Sequence, residues 1–510
     1  TAILFGAEAC GIADWSVQTA ADYAKIRHQF GRPIGQFQAV KHRCADMLIA
    51  VERAVGTAWD AANAADSDDA EVQLPLAAAI ASTTAIHAAT SCAKDCVQLL
   101  GGIGFTWEHD AHVFLKRALA VRQLLTPAHA TATRLALAGA RRTRTVDLGP
   151  EADAIRADIA RAADELKQLE REERRRKMAD DGWLVPHWPT PWGRDAGPLE
   201  QLVIDEEFAR AQVARPNLAV GAWAAPTIVA HGTPEQQERW VGPTLRGEIA
   251  WCQLFSEPGA GSDLASLTTK ATRTDGGWLL SGQKVWTSLA RDADWGICLA
   301  RTNPNAPKHL GITYFVVDMR AEGIDIRPLR ELTGMAMFNE VFLSDVFVPD
   351  EAVIGDVDGG WTLARTTLAN ERVAMASGSS FGGGVEALLT LVGARDDLRD
   401  DDVVLDLVGE LLAEASSISV LSLRTTLRAL TGAKPGPEAS VRKLFSAEHD
   451  QRVQELGLVL LGPDGAVAEG DGATWSYGFL ANRCLTIAGG TSEVQRNVIA
   501  ERILGLPRDP

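Results

Sequence analysis

The strongest constraint on this chain is a change of hydrophobic period. From residue 1 to about 140, and again from Trp361 to the end, apolar side chains recur at helical spacing, whereas between about 251 and 355 they alternate. A period of 3.6 buries one face of a helix and a period of two buries one face of a strand, so the order is helices, a sheet, then helices. Alanine-rich runs at Val40–Ala65 and Leu76–Leu100 read as amphipathic helices of an antiparallel bundle. The pattern stops between Arg141 and Pro150, the natural place for a linker. A charged helix is expected over Glu151–Met178, with Glu170–Lys177 as a solvated face. Helices over Leu199–Ala211 and Pro234–Thr244 precede strands at Trp295–Arg301, Ile312–Val317 and Glu340–Val348. The divisions are 1–147, 148–250, 251–355 and 356–510.

Within the alternating region one stretch does not read as core. Leu254-Phe255-Ser256-Glu257-Pro258-Gly259-Ala260-Gly261-Ser262-Asp263 enters as an apolar run and turns through proline and two glycines, which allow close backbone approach to a ligand. Gly282-Gln283-Lys284-Val285-Trp286-Thr287-Ser288 follows, after the turn Asp275-Gly276-Gly277, as β-structure holding that loop. By itself such a loop is equally an ordinary turn.

A net charge of −17 excludes a general nucleic-acid binder and offers no basic face to a membrane. Phosphate groups on a ligand therefore need a local basic site. The seven cysteines are odd in number and form no C-x-x-C pair, and no metal-ligand spacing stands out. Cys92 and Cys96, one helical turn apart, read as small core residues. A reducing, cytoplasmic compartment is the expectation, with no unbroken apolar run of about 18 residues. Thr1 falls inside a helical pattern, which suggests that a natural start precedes it.

The loop and the W-x-[ST] stretch together closely resemble the flavin-binding middle domain of the acyl-CoA dehydrogenases. The resemblance implies a mainly α protein with a central β-domain: a helical domain, a β-barrel-like domain and a C-terminal four-helix bundle over 148–510. Residues 1–147 resemble that same C-terminal bundle, so the chain carries one complete copy preceded by part of another. The tandem arrangement resembles the fused dehydrogenases that some bacteria use on CoA esters of steroid side chains.

What the family needs can then be sought residue by residue. Its commonest catalytic base is a glutamate before Gly-Thr near the end of the chain; here Gly489 stands there, ahead of Gly490-Thr491-Ser492-Glu493. A second family solution places the glutamate before an arginine on the first helix after the sheet, which is Glu371-Arg372 here. The loss at 489 and the gain at 371 are a paired change, so Glu371 is the candidate base, with Arg372 ordering the site and contacting substrate. An arbitrary Glu-Arg pair on a helix is more often just surface charge. By the resemblance, the backbone N–H of Gly489 meets the thioester oxygen and Ser262 lies near the thioester or pantetheine. The same resemblance implies that Gln253, Phe255, Ser256, Gly261, Ser262, Trp286, Ser288, Thr491 and Glu493 would hold the isoalloxazine end of FAD.

The family meets the FAD pyrophosphate with R-x-x-F-G, F-Q and Q-x-L-G-G on a bundle. The first bundle has all three, as Arg27, His28, Gln29 and Phe30, then Phe37 and Gln38, then Gln98, Gly101 and Gly102. A guanidinium fork suits a pyrophosphate. The second bundle instead has the acidic run Arg395–Asp402 and Leu460-Leu461-Gly462-Pro463-Asp464, while the first has Thr1-Ala2 and Leu124–His129 where the second keeps Glu371-Arg372 and the G-T-S-E loop. The two bundles are complementary, which implies one FAD per chain, shared between them; drift in an inactive duplicate is the plainer alternative. The expected activity is dehydrogenation of an acyl-CoA to the trans-2-enoyl-CoA, with electrons passed to an electron-transfer flavoprotein and two fused chains associating as a homodimer. An acyl-CoA oxidase or an inactive scaffold subunit are the rival readings.

Overall fold

The computed structural model describes residues 1–125, 127–144, 148–375, 381–430 and 436–509. They are mainly helical, with one eight-stranded sheet in the middle of the sequence, and divide into two compact units, Thr1–Thr145 with Gly378–Pro510, and Val146–Ser377.

The first unit contains helices Ala2–Ile26, Gln38–Ala65, Ala70–Leu100, Ala111–Leu124 and His129–Leu137, together with Val385–Gly393, Asp402–Leu430, Glu438–Leu461, Gly470–Ala481 and Ser492–Arg502. Both sets bury side chains in one core, where Cys44, Ala45, Cys92 and Cys96 meet Leu421, Leu444, Phe445 and Ile499. Alanine suits this junction because it favours helix at no side-chain entropy cost and lets backbones approach closely. Burial pushes the Cys92 and Cys96 thiols up to about 12, as befits core residues. The stretch Ala70–Phe105 is long and apolar enough to cross a membrane, yet 72% of its apolar window is buried in the protein.

Charges cross the junction too. Lys41, fully buried, donates to Glu501 at 2.7 Å. Arg142 and Arg144 both close on the buried carboxylate of Asp60, and Arg144 also reaches Ser416 at 2.7 Å and Ser419 at 3.1 Å. The segment expected as a linker is therefore anchored at its described end; residues 145–147 lie outside the described residues.

A two-residue hairpin of β1 (His28–Gln29) and β2 (Arg32–Pro33) joins the first two helices. The second unit holds the sheet of β3 (Trp251–Leu254), β4 (Lys270–Thr274), β5 (Gly277–Ser288), β6 (Trp295–Arg301), β7 (Ile312–Asp318), β8 (Ile324–Leu329), β9 (Phe338–Pro349) and β10 (Val353–Ile354). Their order is β10-β7-β6-β4-β5-β9-β8, with β3 alongside β6 in parallel. The strands expected from alternation are β6, β7 and most of β9. β4 is largely polar and β8 contains Pro328, so neither signals a strand in sequence. Helices Pro198–Ala211, Gly221–His231, Pro234–Arg246 and Gly360–Met375 complete the unit with the segment from Gly149 to Asp180.

That last segment corrects the sequence expectation. The single charged helix is two, Gly149–Gln168 and Arg171–Asp180, broken where Leu169 takes an extended conformation and packs against the core. The Arg174 guanidinium caps the carbonyls freed by the break, those of Lys167 at 3.1 Å and Leu169 at 2.8 Å. Nor is the charged run wholly solvated. Arg175 is half-buried and donates to the carbonyls of Leu245 and Thr244, and burial pulls its pKa down.

Candidate functional site

β3 delivers the glycine-containing loop, and a buried ion pair fixes it. Glu257 and Ala260 exchange backbone hydrogen bonds of 3.1 and 3.0 Å around Pro258-Gly259, closing a tight turn. The Glu257 side chain points inward and accepts from Thr268 N at 2.7 Å, Thr268 Oγ1 at 2.8 Å, Thr269 N at 2.9 Å and Lys284 Nζ at 2.8 Å. Lys284, fully buried on β5, also donates to the carbonyls of Phe255 at 3.1 Å and Leu299 at 2.8 Å. Burial alone raises the Glu257 carboxyl, but the adjacent ammonium and the convergent donors outweigh it and hold the group at about 2. Four donors satisfy Glu257 and three acceptors satisfy Lys284, the condition for a buried pair to be tolerated. With Glu257 turned in, Gly261, Ser262 and Asp263 are left exposed, and Asp263 is held by Lys308 and Ser266, both at 2.6 Å.

Just beyond Lys284, β5 carries a bulge. Lys284 pairs with Val341 and Thr287 with Asn339, so β5 spends one residue more than β9 over the same span. Trp286 lies in the bulge at φ 60° and is 63% exposed, edge-on to Phe338 at 6.4 Å. A bulky residue held in the left-handed region costs of order 1–3 kcal/mol, and such strain clusters at ligand sites. Asn339 donates to the Thr287 carbonyl at 3.0 Å, and Ser288 pairs with Phe338.

Glu371 stands near the end of helix Gly360–Met375, which a hydroxyl cluster fastens to helix Gly221–His231 and to β7. Thr367 Oγ1 lies 2.8 Å from Thr227 Oγ1 and 3.1 Å from the Tyr314 hydroxyl, and His231 Nε2 lies 3.0 Å from Thr366 Oγ1. One turn past Thr367, the Glu371 Oε2 accepts from Gln253 Nε2 at 3.2 Å, and Gln253 Oε1 accepts from Trp223 Nε1 at 2.6 Å. Arg372 is half-buried on the next azimuth of the helix.

In the first unit, the short connections at 27–37 and 66–69 make successive helices antiparallel, so the ends carrying Arg27, Gln38 and Gln98 share one end of the bundle. The hairpin turn there is Phe30-Gly31, at φ 54° and 78°, the geometry of a type I′ turn. Phe30 is 92% exposed in that conformation, edge-on to Phe37, over which Arg32 also lies. Arg27, His28, Gln29, Gln98, Gly101 and Gly102 are all exposed. Helix Ala70–Leu100 ends in Gly101 at φ 66°, ψ −138° and a short 3₁₀ helix; Glu438–Leu461 ends in Gly462 at φ 61°, ψ −133° and another. The same turn therefore closes the corresponding helix of each bundle, although only the first retains the glutamine.

Gly489 and Gly490, at φ 65° and 91°, lead into helix Ser492–Arg502. Gln495 donates to the Gly489 carbonyl and Lys443 to that of Gly490, both at 2.8 Å. Thr491 caps the helix by accepting from Val494 N at 3.3 Å. Glu493 sits in the first turn, where backbone donors pull its carboxyl down. Leu124–His129 includes Thr126, which is outside the described residues.

The second unit thus brings together Gln253, Phe255, Ser256, Gly261, Ser262, Trp286, Ser288, Glu371 and Arg372. The first holds Arg27, His28, Gln29, Phe30, Phe37, Gln38, Gln98, Gly101, Gly102, Gly489, Thr491 and Glu493. Sequence reasoning missed Lys284 and Trp223 and gave Glu257 no role of its own. A lysine at an inward position of an apolar strand was the available signal for the first, since it demands a buried acid. Nothing local marks Trp223.

A family model described as acyl-CoA dehydrogenase, C-terminal domain, matches residues 1–124 and again 358–504. The middle-domain model matches 252–346 and the N-terminal-domain model 152–248. The chain is 54% identical over 510 residues to acyl-CoA dehydrogenase FadE34 of Mycobacterium tuberculosis, covering 99% of this chain and 70% of that protein. Among solved structures, the Tcur3481-Tcur3483 steroid ACAD is 30% identical with a TM-score of 0.58, over 72% of this chain and 99% of that one. The ChsE4-ChsE5 complex of Mycobacterium tuberculosis is 30% identical with a TM-score of 0.57, over 72% and 100%.

Proposed function

The chain belongs to the acyl-CoA dehydrogenase family, whose members are oxidoreductases acting on acyl-CoA, and we propose that it performs FAD-dependent α,β-dehydrogenation of an acyl-CoA thioester with Glu371 as the base. The observation that carries this reading is the hydrogen bond from Gln253, on the strand that leads into the glycine-containing loop, to the Glu371 carboxylate. A carboxylate presented beside that loop on a helix fastened by three hydroxyls is a fixed acceptor for an acidic α-proton. Bound FAD would supply the acceptor for the β-hydride.

The residues present suit such a cofactor. Among the described residues two aromatic side chains take positive φ, Phe30 in the hairpin turn and Trp286 in the β5 bulge; both belong to the expected cofactor set and both are exposed. Flat rings of this kind suit a flavin or adenine face. Arg27 offers a guanidinium for a pyrophosphate, and Gly489 a backbone N–H for a thioester oxygen. One FAD per chain, with its phosphates on the Arg27 set, is the economical arrangement. The steroid character named for one neighbour, and the tandem arrangement, favour a steroid side-chain CoA ester as substrate. An electron-transfer flavoprotein as acceptor and pairing of two fused chains belong to the same reading.

Anaerobic flavin bleaching across acyl-CoAs from short straight chains to steroid-linked thioesters tests substrate and activity together. Glu371→Gln should retain bound flavin yet bleach at least a thousandfold more slowly, on the order of the loss when a general base is removed. Full reduction of that variant at the parent rate rejects the assignment, and stoichiometric peroxide release in air would favour an oxidase.

A further inference from the structure

Trp223, Gln253 and Glu371 lie far apart in sequence but form two consecutive hydrogen bonds, 2.6 Å from the indole N–H to Gln253 Oε1 and 3.2 Å from Gln253 Nε2 to Glu371 Oε2. An indole N–H can only donate. It therefore decides which end of the Gln253 amide is oxygen, and the nitrogen must face Glu371. Without the indole the amide could turn over and set its oxygen against a carboxylate oxygen, an arrangement with no proton between them. Donation to the carboxylate favours its charged form, which is the form a base must have when substrate arrives.

Both supports are themselves rigid. Gln253 lies on β3, in register with Ile297 of the buried strand β6. Trp223 lies in the first turn of helix Gly221–His231, where a Cβ on Gly221 would come within 2.7 Å of the Thr244 methyl. Thr244 is held in turn by the Trp251 indole at 2.7 Å. Side chains mounted on paired strands and packed helices keep their geometry better than side chains on loops.

We propose that Gln253 and Trp223 are positioning residues for Glu371: Gln253 orients the carboxylate by donating to it, and Trp223 locks the polarity of the Gln253 amide. The inference rests on Glu371 being the base. The Gln253 nitrogen has a second proton to give, so contact with a bound ligand is compatible with this role.

The test uses the purified holoenzyme, the acyl-CoA that best reduces it, and two readouts: the pH profile of kcat/KM, and deuterium wash-in at the substrate α-carbon in D₂O, which follows proton removal alone. Gln253→Glu keeps an acceptor for Trp223 but sets a second carboxylate against Glu371. The acid limb of both profiles should rise by about one pH unit or more. Trp223→Phe keeps a ring and removes the N–H. It should lower kcat about tenfold, the scale of one hydrogen bond to a charged group, with KM and flavin content as in the parent. An unshifted acid limb in folded, flavin-loaded Gln253→Glu, or full kcat in Trp223→Phe, overturns the inference. Full activity in Glu371→Gln overturns instead the base assignment beneath it, so the two failures are distinguishable.

Discussion

Lys284→Met isolates the contribution of one buried ion pair to the loop it fixes. In the native protein the Glu257 carboxyl sits at about 2 against an ordinary 4.5. The gap corresponds to roughly 3 kcal/mol of stability. Because the folded value is the lower one, that stability is complete above pH 4.5 and is lost as pH falls through 2. Methionine matches the lysine stem but supplies no charge, so the carboxyl rises from about 2, with only the Thr268 and Thr269 donors left to oppose burial. The stability that the parent gains as pH rises from 2 to 4.5 therefore shrinks in the variant, and the two profiles diverge. At pH 7 the cost should be about 3–5 kcal/mol, as when one partner of a buried pair is removed. Urea titrations from pH 3 to 7 measure the profile, and hydrogen exchange at the Thr268, Thr269 and Val285 amides reports whether the loop is what opens. Glu257→Gln combined with Lys284→Met should recover only part of the loss, because Thr268 N and Thr269 N donate to different carboxylate oxygens and the single amide oxygen can accept from one of them. A single variant within about 1 kcal/mol of the parent and parallel to it across that pH range would refute the reasoning, since no buried charge would then have been uncompensated.

Arg27→Glu reverses the charge expected to meet the cofactor's phosphates and should leave the purified protein depleted of flavin, read from absorbance per chain; retention at the parent level rejects that role for the first bundle. Trp286→Gly relieves a left-handed bulge whose side chain is mostly exposed, so thermal stability should hold or rise by about 1 kcal/mol while bleaching slows markedly. A fall in stability with unchanged bleaching would make the tryptophan a structural residue.

Much of the candidate site can be read from the chain because its parts are local. The turn through Pro258-Gly259, the Gly101-Gly102 helix stop and the Glu371-Arg372 pair are set by a few adjacent residues, and backbone geometry within such windows follows from residue type. The helix–sheet–helix order is equally local, since each segment declares its own period. Polar β4 and Pro328-containing β8 escaped because their strand character comes from neighbours. The break at Leu169 escaped too, because a core contact overrode a sequence that favours helix.

Residue order by itself therefore determined most of the element types, the turn through Pro258-Gly259 and the residue kinds that turn carries. Only the tertiary structure decided which side chains act on one another. Glu257 finds Lys284 across 27 residues, Asp60 finds Arg144 across 84, and Gln253 finds Glu371 across 118. None of these separations has a period, because partners brought together by packing are chosen by where elements meet and by the cost of leaving a buried charge or donor unmatched, and that cost exists only once the chain has folded.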